Sequence, residues 1–361
     1  MKTGKTLVEL ALEIERQSKA KRDFIASTNS LSFELANTAS GRIVTLNVAG
    51  QNEFPIQDYA HGQIAAHLDI GKKYYDRMLE KKPELLRENV NTWLKDAPAK
   101  ERRMIRTLDG ADRAFLSDKF NAIDNDMIGN YALEALHEAA PKMLIESCEI
   151  TQRKMYLKAF FPEIEREIAD PLTKVGDIVR SGVMISNSEI GCGSVEVVPY
   201  SYKLGCKNGM KHTIFGQRRN HVGRAVEGSD GQELFASDTL RADAKAFLLK
   251  LRDVIRACVT PDQFDKIVET MRGATTQKIE GNPVEAVEVM TRKLSFLESE
   301  KNSIMRHLIE GGDLSRWGLA NAVTRAAADI SDYDRATELE ALGGRVIELA
   351  PKDWKEIALA A

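Results

Sequence analysis

The sequence predicts an α+β fold, a curved antiparallel sheet with β-hairpins and flanking helices, followed by a C-terminal helical domain. Three observations lead there. Within residues 175–225, β-branched and aromatic residues such as Val183, Ile185, Val195, Val197, Tyr200 and Tyr202 alternate with the turn signals Gly191-Cys192-Gly193 and Asn208-Gly209. After Ser237 the pattern becomes helical only. A chain of 361 residues, 43% of them hydrophobic, is long enough to bury a core shared among several regions. The expected division is an N-terminal hairpin and helical region (1–100), a sheet core (101–230) and a helical domain (231–361), the last boundary falling in the Gly- and Asp-containing link 227–232.

Taken in order, residues 6–22 place Leu7, Leu10, Ala11 and Ile14 at helical spacing, and 24–48 alternate around Ser40-Gly41 as a hairpin does. Pro55 opens a helical region with Tyr59, Ile64, Leu68, Tyr74, Tyr75 and Leu79 as one apolar face. A further helix starts at Pro83, where a missing N–H is harmless. Asp109-Gly110 is the turn of a second hairpin, and Asp124-Asn125-Asp126 supply short polar side chains suited to cap a helix over 127–138. Residues 143–150 and 154–160 form paired strands that continue into the central sheet. Helices then cover 240–258, 261–272, 283–310, 315–330 and 333–342. In the third of these, Val287, Met290, Leu294, Leu297, Ile304 and Leu308 follow heptad spacing, which suits a packed bundle or a coiled coil through which the chain forms a homo-oligomer. Gly311-Gly312 ends that helix.

The net charge of −3 excludes a wholly basic protein, so any nucleic-acid surface is a local patch. One patch is legible. No carboxylate lies between Glu196 and Glu227, whereas Lys203, Lys207, Lys211, Arg218, Arg219 and Arg224 do, together with His212 and His221. Cations displace condensed counterions and aromatic faces stack on bases, so these six cations would hold phosphates while Tyr200, Tyr202 or Phe215 stacks. Arg106 and Arg113, flanking the Asp109-Gly110 turn, extend the patch.

Catalytic constellations are not legible, and a non-enzymatic protein without metal or cofactor is expected. Gly4-Lys5-Thr6 lacks the upstream strand and glycine of a phosphate-binding loop. Asp109, Asp112, Asp118, Asp124 and Asp126 are dense enough to raise a metal-dependent nuclease, but they sit at turns and caps instead of converging. Cys206 and His212 lack a third orienting group. The four cysteines, Cys148, Cys192, Cys206 and Cys258, form no CxxC pair, which fits a reducing, cytoplasmic compartment. No apolar stretch is long enough to span a bilayer.

Several segments, among them FPIQDYAHGQIAAHLDIGKKYYDRML (54–79), ENVNTWL (88–94), RTLDGADRAFLSDKFNAIDN (106–125), VRSGVMISNSEIGCGSVEVVPYSYKLGCKNGM (179–210) and WGLANAVTRAA (317–327), together resemble a family of phage/plasmid-like proteins with a domain of unknown function, found in phages, prophages and plasmids. The resemblance implies a cytoplasmic protein of a mobile element, grouped with replication, recombination or defence functions, and no established reaction. Arg218-Arg219 and His221-Val222-Gly223-Arg224 also resemble the family's pattern, whereas Arg325-Ala326-Ala327 departs from it. The leading expectation is a single-stranded DNA binding or annealing factor for recombination or replication. The alternative is a protein-interaction module that engages a host defence or replication protein.

Overall fold

The α+β class holds in the computed structural model, which describes residues 1–39, 41–120, 122–168, 177–205, 208–213, 217–219 and 237–361; of 217–219, 237–241, 243 and 244 it describes the backbone alone. Helix α1 (Leu7–Ala20) starts at a capping box, in which Thr6 Oγ1 accepts from the Glu9 N–H at 3.3 Å and Glu9 accepts from the Thr6 N–H at 2.8 Å. The segment expected as a single hairpin divides. Strand β1 (Arg22–Ser27) leaves for another sheet, while β2 (Leu31–Thr38) and β3 (Gly41–Val48) pair and are joined by β4 (Glu53–Pro55).

Helices α2 (Asp58–His67), α3 (Lys72–Lys81) and α4 (Pro83–Lys95) follow, and α4 does start at its proline. Strands β5 (Arg102–Leu108) and β6 (Ala111–Ser117) turn at Asp109 and Gly110, whose φ of 52° and 76° give two consecutive left-handed residues, as a two-residue hairpin needs. With β1 they make a sheet in the order β1-β5-β6. Phe33 and Leu46 of one sheet, Ile105 and Phe115 of the other, and Tyr75, Met78, Leu86, Val90 and Leu94 of the helices share one buried cluster. The outer edge of β2 is occupied by a side chain. The Phe33 N–H donates to Asn91 Oδ1 at 2.6 Å, and Asn91 Nδ2 donates to the Phe33 carbonyl at 3.0 Å.

After α5 (Asn125–Ala139) comes the principal sheet, a curled half-barrel of β7 (Leu144–Ile150), β8 (Met155–Ile168), β9 (Asp177–Asn187), β10 (Val195–Lys203) and β11 (Asn208–Lys211), with β12 (Gln217–Arg219) paired further along β10. Every pairing is antiparallel. Helices α6 (Ser237–Cys258), α7 (Pro261–Thr276), α8 (Pro283–Leu294), α9 (Glu298–Gly311), α10 (Arg316–Ala326), α11 (Tyr333–Glu348) and α12 (Pro351–Ala358) complete the chain. None of the described helices is long and apolar enough to cross a membrane.

The strand period of two sorts β8 between two environments. Leu157, Ala159 and Phe161 belong to the main core, which runs without a break from Val183, Ile185 and Val197 of the sheet to Phe264, Met290, Ile304 and Leu339 of the helices. Tyr156 and Phe160 lie on the opposite face in a second cluster with Tyr200, Tyr202 and Tyr333. Sheet and C-terminal helices therefore share one core. The link expected at 227–232 lies outside the described residues.

Two local expectations are corrected. The long helix over 283–310 breaks at Ser295, a left-handed residue with φ of 58°, so the heptad stripe is two helices: Val287, Met290, Leu294, Ile304 and Leu308 are core, and Leu297 is exposed ahead of α9. The stripe is thus consumed by intramolecular packing. Gly312, at φ of 69°, ends α9 as expected. Asn208-Gly209 is not a turn. Those residues open β11, pairing with Lys203 and Tyr202, and the chain reverses at Leu204-Gly205 and beyond.

Gly209 is required for another reason, because a Cβ there would stand 1.8 Å from the Tyr200 hydroxyl. Gly209→Ala should therefore lose about 1–3 kcal/mol through overpacking. Adding Tyr200→Phe removes the nearest atom but leaves ring carbons Cζ and Cε1 at 2.5 and 2.8 Å, so it should restore only part of that loss in urea unfolding. An alanine variant as stable as the wild type would disprove the close approach.

Candidate functional site

The residues expected to form a cationic strip are engaged elsewhere or lie outside the described residues. Lys203 Nζ sits 2.6 Å from Asp177 and over the Trp317 ring, whose Nε1–H donates to the same carboxylate at 2.9 Å. Lys211 Nζ is 2.7 Å from Glu196. Tyr200 is 1% and Tyr202 7% exposed, both packed against Phe160, so neither offers a face to a base. Arg218 and Arg219 are placed by backbone only, in β12; Lys207, Phe215, His221 and Arg224 lie outside the described residues, as does Cys206. A gap in acidic residues along the sequence did not make an acid-free surface, because β9 brings Asp177 alongside β10 and Glu196 lies on the strand that β11 pairs with.

Arg106 and Arg113 are interior residues. Arg106 is fully buried. It grips Asp23 with two hydrogen bonds, from Nε at 3.0 Å and Nη2 at 2.9 Å, and reaches Asp124 at 2.7 Å and the Glu189 carbonyl at 2.8 Å. Arg113 Nη2 donates to Glu189 Oε2 at 2.6 Å, and Glu189 Oε1 accepts from the Asn125 N–H at 2.7 Å. Lys21 closes the network on Asp124 at 2.6 Å. Asp124 stands at the N-cap of α5 but makes no capping hydrogen bond, contrary to expectation, because its carboxylate is taken by these cations. Burial pushes its pKa up, and Arg106 and Lys21 outweigh that and hold it below the ordinary carboxylate value. The network ties α1, the β1-β5-β6 sheet, α5 and the β9–β10 loop together, and neither arginine extends a surface patch along β5 and β6.

Two further charged sites are interior; sequence reasoning missed the first, and named Asp112 of the second only as a residue at a turn. Lys158 in β8 and Glu340 in α11 are each 0% exposed and 2.6 Å apart, with the ammonium also over the rings of Tyr200 and Tyr333 at 5.5 and 4.9 Å. Asp112, also fully buried, receives one hydrogen bond, from the Ala114 N–H at 3.1 Å, and its Oδ2 has no partner. Burial pushes its pKa up to about 7. Two histidines are interior too. His212 bonds Ser201 at 2.8 Å and His61 bonds Tyr75 at 2.7 Å, and burial lowers their pKa values to about 3 and about 4.

One run of accessible cations without a carboxylate partner among the described residues lies on and just after α3 and α4; Arg153, Lys352 and Lys355 are exposed in the same way elsewhere. From Lys72 to Arg102 the chain has nine Lys and Arg against six Asp and Glu. Lys72 pairs with Asp76, and Arg42 takes Glu84. Lys73, Arg77 and Lys81, which succeed one another at i, i+4 and i+8 along α3, are exposed, and among the described residues none has a carboxylate within 4.0 Å. Lys82, Lys95, Lys100 and Arg102 are exposed in the same way. Two large aromatic side chains of these helices face solvent as well, Tyr74 at 52% and Trp93 at 54% exposure. Buried Tyr75, Met78, Leu86, Val90 and Leu94 fix both helices against the sheet, so the outer face is a rigid platform.

Among the described residues no group of His, Cys, Asp and Glu is placed to hold a metal ion; Asp109, Asp112 and Asp124, raised for a nuclease, are respectively at a turn, alone in the interior, and bound to Arg106. The two best-formed concavities each have room, about 10 Å³, for a single water-sized group. Compared with protein-family models, curated proteins and solved structures, the chain matches none.

Proposed function

We propose that the protein is a non-enzymatic nucleic-acid-binding protein that holds single strands on the outer face of α3 and α4. The observation that carries this reading is the run of exposed cations Lys73, Arg77 and Lys81, with no carboxylate within 4.0 Å among the described residues, on a helix that also exposes Tyr74 and is followed by α4 with Trp93 exposed. Unpaired surface cations release phosphate counterions on binding, whereas the paired Lys203 and Lys211 would first have to give up a carboxylate. Exposed aromatic rings favour unstacked bases over a closed duplex. With the resemblance to proteins of phages and plasmids, the setting we infer is recombination or replication of a mobile element, where annealing needs a strand held by its backbone and no covalent chemistry.

The test is fluorescence anisotropy of a labelled oligothymidylate across a salt series. The wild type should bind at low salt. The combined change Lys73→Glu, Arg77→Glu and Lys81→Glu should weaken binding at least tenfold and flatten the slope of log K against log salt by about 2, as expected for roughly three lost single-strand phosphate contacts. No binding at low salt, or an unchanged slope in the variant, would overturn the reading.

A second reading has its own observation. Val8 and Leu12, one turn apart on α1, are 68% and 61% exposed, an apolar pair suited to a protein partner. A host protein that stays bound after nuclease treatment, and is lost with Leu12→Asp, would favour that alternative.

A further inference from the structure

The turn between β7 and β8 and the loop between β9 and β10 enclose a polar cleft lined by more cations than carboxylates. The turn is rigid: Thr151 Oγ1 accepts from the N–H groups of Arg153 at 3.0 Å and Lys154 at 2.9 Å, and donates to Asp334 at 3.1 Å. Ser188 fastens the loop to it, donating to the Arg153 carbonyl at 2.8 Å and accepting from the Cys192 N–H at 2.9 Å. Arg113, Arg153, Lys154, Glu189, Asn125 and Gln152 are among the residues lining the cleft.

That lining has three cations and one carboxylate, and the carboxylate is spent: Glu189 Oε2 is held by Arg113 and Oε1 by the Asn125 N–H. Arg113 is 5% exposed, and its Nε–H is buried without a partner. Neither Arg153 nor Lys154 has a carboxylate within 4.0 Å among the described residues. The turn glycine opposite leaves room for the lysine. A Cβ at Gly193, itself at φ of +131°, would come within 3.1 Å of Lys154 Cε and 3.2 Å of Nζ. The cleft thus sets a buried, unpartnered arginine N–H beside two cations that lack a carboxylate within 4.0 Å among the described residues, an arrangement that favours an oxyanion over a cation.

We propose that this cleft is a phosphate-binding site. Its volume of about 10 Å³ admits one oxygen, directed at Arg113, while the rest of the phosphate stays in the mouth between Arg153 and Lys154. Inorganic phosphate and the terminal phosphate of a nucleic acid present the same chemistry. The site stands on residues separate from α3 and α4 and does not depend on that surface.

Two titrations on the full chain test it: inorganic phosphate against chloride at matched ionic strength, followed by thermal shift, and anisotropy with oligonucleotides bearing a 5′-phosphate or a 5′-hydroxyl. Phosphate should raise the wild-type Tm, and Arg153→Gln with Lys154→Gln, both in the surface turn, should weaken phosphate binding at least fivefold while leaving the far-UV spectrum unchanged. A 5′-phosphate that strengthens oligonucleotide binding at least threefold, only while Arg153 and Lys154 are present, identifies a nucleic-acid end as the source; phosphate binding without that preference identifies a free oxyanion. The α3 charge-reversal variant should keep its phosphate response, so failure of the α3 surface and failure of the cleft read out separately. If the wild type responds to neither phosphate form, or the double variant binds phosphate as tightly as the wild type, the proposal is overturned.

Discussion

Replacing Lys158 with methionine should destabilise the protein by about 3–5 kcal/mol, because it removes the ammonium that stands 2.6 Å from the Glu340 carboxylate, which is 0% exposed. Glu340 Oε1 already lacks a hydrogen-bond partner, and the other cation that acts on this carboxylate, the N-terminal ammonium of Met1, is itself penalised by burial, which lowers its pKa, so it is a poor substitute. The companion result is the more informative. Lys158→Met combined with Glu340→Leu removes both charges at once, and the desolvation of two ions with them. That double variant should recover most of the loss and end near the wild type or above it. Urea unfolding of the three proteins gives the comparison. A single variant within about 1 kcal/mol of the wild type, or a double variant no better than the single, would contradict a fully buried pair.

Asp112→Asn should stabilise the protein at pH 8 and leave it unchanged at pH 4. In the folded chain burial raises the Asp112 pKa from 3.8 to about 7, so the folded state binds the proton more tightly than the unfolded one. Stability from this group is then fully present below pH 4 and falls as pH rises to about 7, by up to about 4 kcal/mol for a shift of roughly 3 units. Protonated aspartic acid and asparagine have nearly the same shape and are both neutral, with the acid leaving one unmet donor and the amide two, so the two proteins come close together at low pH. His61 and His212 act in the opposite direction, since burial lowers their pKa values from 6.5 to about 4 and about 3 and their contribution is lost as pH falls below about 6.5. The difference between wild type and variant isolates Asp112 from that background. Urea unfolding from pH 4 to pH 8 is the measurement, and a gap that does not grow with pH would show that Asp112 is not ionised against burial.

The fold class and most elements were legible because their signals are local. Period-two alternation marked the central strands, Asp109-Gly110 its turn, and Pro83 and Gly312 their helix ends. Signals that mislead are equally local. Asn208-Gly209 has the composition of a hairpin turn, but its glycine is there for the Tyr200 hydroxyl, a contact set by strand pairing. Asp124 has the composition of a cap and is drawn off by Arg106, 18 residues away, and Lys21, 103 away. Lys203 and Lys211 of the expected strip are paired for the same reason, since no window of sequence shows which carboxylate arrives from a neighbouring strand.

Lys158 did leave a trace, as one cation inside the apolar run Tyr156-Leu157-Lys158-Ala159-Phe160-Phe161, where a strand buried on both faces would otherwise have none. The basic density of α3 and α4 is visible in composition as well. Its interleaved acids, however, suggest neutralisation along the helix, and only side-chain geometry shows that, among the described residues, Lys72 has a carboxylate partner whereas Lys73, Arg77 and Lys81 have none within 4.0 Å.

The amide of Asn91 has a consequence for how this chain behaves in company. By offering Phe33 one acceptor and one donor, it imitates the backbone of a neighbouring strand midway along an otherwise open margin. A second molecule approaching that margin to extend the sheet must first evict a ligand already seated there, so growth into fibres is opposed by a plug held on a helix, with no need for a charge or a proline in the strand itself.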